Sequence, residues 1–325
     1  MESKANIENN PKFWVSNQIG YEDWPDFGDG NNIKHNPNNK IASVYQIWGS
    51  EGYLPYVYHS VIGQILYTDV ESMADIFIFA DSERYEYTKW LFRNILEPDS
   101  IIKIENPIET IKYMIPLQQV LQKYEIISFI DADMFFWSPK DKKYLFYKNI
   151  ERYIEENNDT VLLLRGYTNP VSEVLLARKD TLCPNISIDD YLELIINGSG
   201  MGETIFNNWF ENESWEMSGV FIYRNNLFKD SLYHEYARAH AEIEQKCDET
   251  VWNSWIKSKS IETIDVSFAI PYRYSLELDD NINKYLHDNH NLYMLHPIVG
   301  ETVVNPHALE LLNKIKQKFK EYVKK

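Results

Sequence analysis

The stretch "EIISFIDADMFF" (residues 125–136) decides how this chain is read. Its apolar run ends in two aspartates, Asp131 and Asp133, separated only by Ala132. Uninterrupted apolar strands are those buried on both faces, as in parallel sheets covered by helices. A charge placed in such a strand is costly unless something pairs with it. In extended backbone, residues i and i+2 share a face, so the two carboxylates converge. At that range they repel unless one is protonated or a cation lies between them. Hard divalent ions such as Mn²⁺ or Mg²⁺ take oxygen ligands and leave positions open for phosphates. The expectation is therefore a metal–diphosphate site. A pair of solvated turn aspartates is the plainer alternative, and the apolar setting speaks against it.

The segments around this strand agree on a fold. "KIASVYQIWG" (40–49), "ADIFIFAD" (74–81) and "IIKIE" (101–105) read as strands. Between them, "LPYVYHSVIGQILYT" (54–68), "YEYTKWLFRNIL" (85–96) and "IETIKYMIPLQQVLQKY" (108–124) carry helical spacing. Four strand–helix steps in a row imply an α/β fold with one open, doubly wound, mostly parallel sheet. Such sheets bind ligands at the carboxyl ends of their strands. The polar features found there are "WGSEG" (48–52), Asp81 and the Asp131/Asp133 pair.

Bulk properties narrow the function. A chain of 325 residues with 44% hydrophobic content builds one large domain with elaborations. A net charge of −17 excludes the basic footprint of a nucleic-acid binder. No stretch reaches the roughly 18 apolar residues of a membrane span. Cys183 and Cys247 have no metal-ligand spacing, and two lone thiols fit a reducing compartment. With no apolar signal region in "MESKANIENNPKFW", the expected location is the cytoplasm.

The expected organisation is a polar extension (1–39), a main domain (40–300) with an insertion (165–214), and a basic C-terminal helix (301–325). Within the later part, "DTVLLLRGY" (159–167), "WEMSGVFIYRN" (215–225), "ETIDVSF" (262–268) and "LYMLHPIVG" (292–300) read as strands. "IDDYLELIINGSG" (188–200), "GETIFNNWF" (202–210), "DSLYHEYARAHAEIEQK" (230–246) and "DETVWNSWIKS" (248–258) read as helices.

"YEIISFIDADMFFWSPKDKKYLF" (124–146) resembles the metal-binding strand of glycosyltransferase family 8, the glycogenin and galactosyltransferase group. "ASVYQIWGSEGYLPYVYHSVIGQIL" (42–66), "EMSGVFIYRNN" (216–226), "CDETVWNSW" (247–255) and "LYMLHPIVG" (292–300) resemble further family motifs, in the family's order. The resemblance implies a GT-A fold, a nucleotide-sugar donor, most often UDP-linked, a carbohydrate acceptor and a Mn²⁺ (or Mg²⁺) ion. It makes Asp131, Asp133 and His296 the metal ligands. It gives donor contacts to Tyr45, Trp48, Asp81, Ala132, Ser218, Gly219 and Gly300 as well as to those three. It places Asp248 and Glu249 at the sugar or the reacting face, where acids at a helix start also suit the helix dipole.

The chain departs from the family in three respects. Met217 stands where the family has Asn, the closing motif lacks the Lys that neutralises the diphosphate, and residues 165–214 exceed glycogenin's length there. The resemblance makes 40–300 the catalytic domain and 165–214 an acceptor-side insertion, in which Tyr167, Trp209, Phe210 and Trp215 are either an acceptor platform or the core of a small subdomain. Lys112 and Arg165 are the substitutes considered for that Lys. The implied reaction is hexosyl transfer with retention. An inverting reaction with Asp248 or Glu249 as base is the nearest alternative. A nucleotidyltransferase is disfavoured because "IWGSEGYLP" (47–55) lacks Lys and Arg. A non-catalytic glycan-binding module would have no reason to keep Asp131, Asp133 and His296 together. Oligomeric state is not legible.

Overall fold

The computed structural model describes residues 32–47, 53–106, 112–132, 134–137, 143–157, 160–163, 169–215, 219–243, 249–265, 270–273, 293–296, 298–299 and 303–304, with Gln317 and Glu321. A seven-stranded sheet runs through it. Its strands are β1 (Ile41–Ile47), β2 (Ala74–Asp81), β3 (Ile101–Ile104), β4 (Ile126–Ile130), β6 (Thr160–Leu163), β7 (Val220–Arg224) and β8 (Glu262–Asp265). Their order is β3-β2-β1-β4-β7-β6-β8. All run parallel except β7, which is antiparallel to both β4 and β6. The expected α/β, mostly parallel sheet is the one observed. Its order reverses between β1 and β4, which is the switch point where such sheets open a crevice.

The apolar face shared with helix α1 (Tyr53–Tyr67) and helix α2 (Tyr85–Phe92) forms one core, with Ile41, Tyr45, Ile76 and Ile130 from the strands. Helix α3 (Phe146–Glu156) adds Phe146, Tyr147, Ile150 and Ile154 to this layer. The opposite face carries Val44, Phe77, Phe129 and Phe221 beneath helix α7 (Ser231–Ile243) and helix α8 (Glu249–Ser258). The segment 165–214 contains α4 (Val171–Leu182), α5 (Ile188–Ser199) and α6 (Glu203–Asn212). These build a third core with Trp209 and Trp215, whose rings stack at 6.1 Å. Both are buried, so the subdomain-core reading holds for this pair.

Three local departures from the sequence expectation matter. Residues 108–124 do not form a helix where described. They form two 3₁₀ segments, Lys112–Leu117 and Gln119–Leu121. Pro116 has no N–H and clashes with the preceding turn, so an α-helix cannot pass through it. Next, the strand read over 125–136 stops at Ile130. The Met134 N–H donates to the Asp131 carbonyl at 3.0 Å, and the chain turns there. It re-enters as β5 (Phe135–Trp137) in a separate sheet with β10 (Tyr293–His296) and β9 (Ile270–Arg273). Finally, α3 and α4 carry helical patterns that the sequence reading passed over.

Helix α1 braces the turn. A Cβ on Gly63 would sit 2.5 Å from the Phe136 carbonyl oxygen, so β5 lies directly on the helix backbone. Gly63→Ala is expected to lower stability by about 1–3 kcal/mol through overpacking against backbone. Urea unfolding checks this, and an unchanged midpoint contradicts the close approach.

His240 on α7 is fully buried among Tyr113, Tyr191 and Tyr236, with ring centroids at 6.1, 6.2 and 5.7 Å. Burial, with Arg178 adding to it, lowers its pKa to about 3. The unfolded chain then binds a proton that the folded chain refuses, so stability falls as pH drops from about 6.5 towards 3. His240→Phe is expected to flatten this part of the stability–pH curve relative to wild type. Parallel curves would contradict it.

Candidate functional site

Asp131 follows the last residue of β4, beside the switch point. The β1–β4 register pairs Val44 with Phe129, so continuing it brings Gln46 opposite Asp131. The β4–β7 register pairs Val220 with Ile130, and the Asp131 N–H donates to the Gly219 carbonyl at 2.9 Å. Gln46, Asp131 and Gly219 therefore form a row across three neighbouring strands. A Cβ on Gly219 would lie 3.3 Å from the Met134 sulfur and 3.8 Å from Asp131 Oδ2. Glycine thus lets the Met134 side chain and the Asp131 carboxylate pack close to the backbone.

Oδ1 is paired with an ammonium. Lys112 Nζ lies 2.6 Å from Asp131 Oδ1, with 2% of the lysine side chain exposed and 32% of the aspartate. The ammonium also sits 4.9 Å from the Phe129 ring centroid and 5.6 Å from that of Trp252. Both aromatic faces attract a cation. The lysine is held from behind: Trp252 Nε1 donates to the Tyr233 hydroxyl at 2.9 Å, which donates to the Tyr113 carbonyl at 2.7 Å. Lys112, one of the two cations that the sequence suggested, thus stands buried beside Asp131.

Tyr45 is placed differently from its expected role at the base. It faces the α1 core, fully buried, and burial pushes its hydroxyl pKa well above the usual range. Ser60 lies 3.2 Å from that hydroxyl and bonds the Met134 carbonyl, so Tyr45 props the turn from beneath. Its neighbour Gln46 takes the opposite face, and its buried Nε2 has no hydrogen-bond partner among the described residues. Alternation along β1, aligned with Asp131, is the signal that would have picked Gln46.

Asp81 ends β2 and accepts the Arg84 N–H at 3.0 Å, while its carboxylate pairs with the buried Arg84 guanidinium. Glu249 opens α8. Its carboxylate pairs with Arg178 and accepts the Trp215 Nε1–H at 3.0 Å, tying the helical insertion to α8. In this arrangement it is engaged rather than free to act as a base. Ala132 is buried within the turn. The β5–β10 register pairs Leu295 with Phe135, which brings the His296 backbone alongside the same turn. Trp48, Asp133, Ser218, Asp248 and Gly300 lie outside the described residues, as do Arg165, Tyr167 and Met217, and so does the His296 side chain.

Among the described residues no cluster of three or more His, Cys, Asp or Glu forms a metal site. The surroundings of Asp131 nonetheless suit a cation. Its carboxylate stands at the carboxyl end of β4 with Oδ1 on an ammonium and Oδ2 beside Gly219. Hard oxygen donors of this kind match Mn²⁺ or Mg²⁺.

No family model matches the sequence, and no curated protein matches it. Solved structures with a similar chain path include glycosyltransferases. One is core-mannan synthase A from Aspergillus fumigatus in its Mn/GDP form, 11% identical with a TM-score of 0.45, covering 75% of this chain and 77% of that one. Another is mouse xyloside xylosyltransferase 1, 9% identical with a TM-score of 0.43, covering 78% and 96%. A third is the bifunctional glycosyltransferase WbbM, 11% identical with a TM-score of 0.47, covering 88% and 50%. At these values the likeness says nothing of donor, acceptor or mechanism. No helix among the described residues is long and apolar enough to cross a membrane.

The Lys112–Asp131 pair is expected to be energetically coupled. Removing one partner leaves the other charge buried or half-buried, so Lys112→Met and Asp131→Asn should each destabilise by about 1–3 kcal/mol. The double variant should lose less than the sum, and a double-mutant cycle by urea unfolding checks it. Additive losses would mean that the pair contributes no interaction.

Proposed function

We propose that the chain is a GT-A glycosyltransferase that moves a hexose-type sugar from a nucleoside diphosphate donor, UDP-linked in the first instance, to a hydroxyl acceptor. The carrying observation is the carboxylate–ammonium pair at the carboxyl end of β4, at the switch point of the sheet. Ligands of doubly wound sheets bind there. The order of the sequence motifs agrees with it.

In this reading Asp131, with Asp133 and His296, would hold Mn²⁺ or Mg²⁺ against the donor diphosphate. The ion supplies charge neutralisation of the leaving group. Lys112 contributes a second, fixed positive charge at the same place, in a site where burial strengthens it. Gly219 lets the donor approach Asp131 without a side chain in the way. Gln46 offers an amide to the nucleotide across the same row.

The bond that breaks joins the anomeric carbon to the diphosphate oxygen, and the bond that forms joins that carbon to the acceptor oxygen. The acceptor proton leaves with the departing phosphate oxygen, which makes a strong protein base unnecessary. The pairing of Glu249 with Arg178 fits that requirement, and retention of configuration follows from attack on the face the diphosphate leaves.

Incubation with UDP- and GDP-sugars, with Mn²⁺ or EDTA, tests the reading. Release of nucleoside diphosphate from one donor is expected only with the metal. Asp131→Ala is expected to lower it by at least a hundredfold while the fold persists. Silence across the panel, or release indifferent to Asp131, contradicts the assignment.

A further inference from the structure

We infer that Lys112 makes this site select the complex of a divalent cation with a nucleoside diphosphate over the bare ion. This rests on the transferase reading above, in which Asp131 and Asp133 would hold the cation. Asp131 already has a positive partner of its own. Lys112 Nζ lies 2.6 Å from its Oδ1, and only 2% of the lysine side chain is exposed. A divalent ion brought to Asp131 therefore shares one carboxylate with an ammonium. Like charges that close repel, and more strongly where water is excluded.

The ammonium is held in place. The Phe129 and Trp252 rings face it at 4.9 and 5.6 Å. Trp252 is itself fixed, since its ring stacks on Phe221 at 3.8 Å and its Nε1 donates to the Tyr233 hydroxyl at 2.9 Å. A surface lysine would swing its flexible stem into water when a second cation arrived. This one is enclosed, so the repulsion persists.

The rest of the mouth is balanced in the same way. Asp81 at the end of β2 pairs with Arg84, and Glu249 at the start of α8 pairs with Arg178. Helix α8 does start at the mouth. The Trp252 ring stands 5.7 Å from that of Phe129, while Trp255 Nε1 donates at 3.1 Å to the Leu227 carbonyl, beyond the far end of β7. Each carboxylate that the sequence assigned to the site, among the described residues, thus has a cation, although the whole chain carries −17. A bare divalent ion gains little counter-charge there. A diphosphate brings the negative charge that the ion lacks, and Lys112 and the ion together balance the diphosphate.

This selection has a sign that a purely structural role of Lys112 does not share. Removing the ammonium leaves the carboxylates to the ion alone, so the bare ion binds better, whereas simple damage to the site weakens all binding. The experiment follows the free-ion electron paramagnetic resonance signal of Mn²⁺ with the full chain, without nucleotide and with UDP, against UDP alone as blank. Wild type is expected to hold Mn²⁺ at least a hundredfold more tightly with UDP than without. Lys112→Met is expected to bind Mn²⁺ without UDP at least tenfold more tightly than wild type, and to gain at least tenfold less from UDP. Lys112→Arg keeps the charge and should follow wild type. Thermal melting confirms folding, and Lys112→Gln takes the place of Lys112→Met if that variant does not fold.

Equal binding of Mn²⁺ by the wild type with and without UDP overturns the inference. So does a folded Lys112→Met that binds the bare ion no better than wild type, or a Lys112→Arg that behaves as Lys112→Met does. Donor cleavage by the wild type is measured separately. Metal-dependent cleavage beside any of those results sinks the selection by Lys112 and keeps the transferase reading. No Mn²⁺ held by the wild type even with UDP, and no cleavage, sinks both.

Discussion

The ammonium of Lys112 is buried against two aromatic rings and one carboxylate, and the mouth of the sheet is arranged around it. Desolvating a lysine is costly, and a single ion pair seldom compensates in full. The surroundings share the task. Phe129 of β4 and Trp252 of α8 supply cation-attracting faces, and Asp131 supplies the counter-charge. The lysine stands at the start of a 3₁₀ segment, a geometry set by Pro116, and the Trp252–Tyr233–Tyr113 hydrogen bonds hold that segment in place. Removing a piece would disturb both the electrostatics of the site and the packing of the sheet's second face.

The turn that carries Asp131 is held independently from the other face. Gly63 lets β5 lie on α1, and Ser60 bridges the Tyr45 hydroxyl to the Met134 carbonyl. The carboxylate is therefore fixed by contacts from both layers of the fold. That is the preorganisation a site acting on a developing charge requires. The helical insertion reaches the same region through the Arg178–Glu249 pair and the Trp215–Glu249 hydrogen bond.

The sheet was legible because its strands are continuous apolar runs with sharp polar ends. β2 matches the stretch "ADIFIFAD" residue for residue, and β1 and β3 fall inside their segments. What misled is equally physical. Apolar spacing over 108–124 outweighed Pro116, yet a missing backbone donor is decisive. The apolar run concealed a change of sheet at Asp131, since Phe129 and Ile130 before it and Met134 and Phe136 after it are all buried. The reversed direction of β7 has no local signature, because strand direction is set by connection and pairing. Asp131 and Lys112 do meet at the strand ends that the sequence singled out, but seeing that Gln46 rather than Tyr45 shares their row needed the β1–β4 register. Lys112 was noticed for its charge alone, and its burial against Phe129 and Trp252 comes from tertiary packing.

The central claim is that Asp131 and its neighbours hold a divalent cation against a nucleoside diphosphate. The electron paramagnetic resonance spectrum of Mn²⁺, recorded with protein and UDP together and again with Asp131→Asn, tests this most directly. The account predicts that the free-ion signal disappears with the wild-type protein and UDP, and returns in the variant. Retention of the free-ion signal with the wild type, or its loss in both proteins alike, would contradict it.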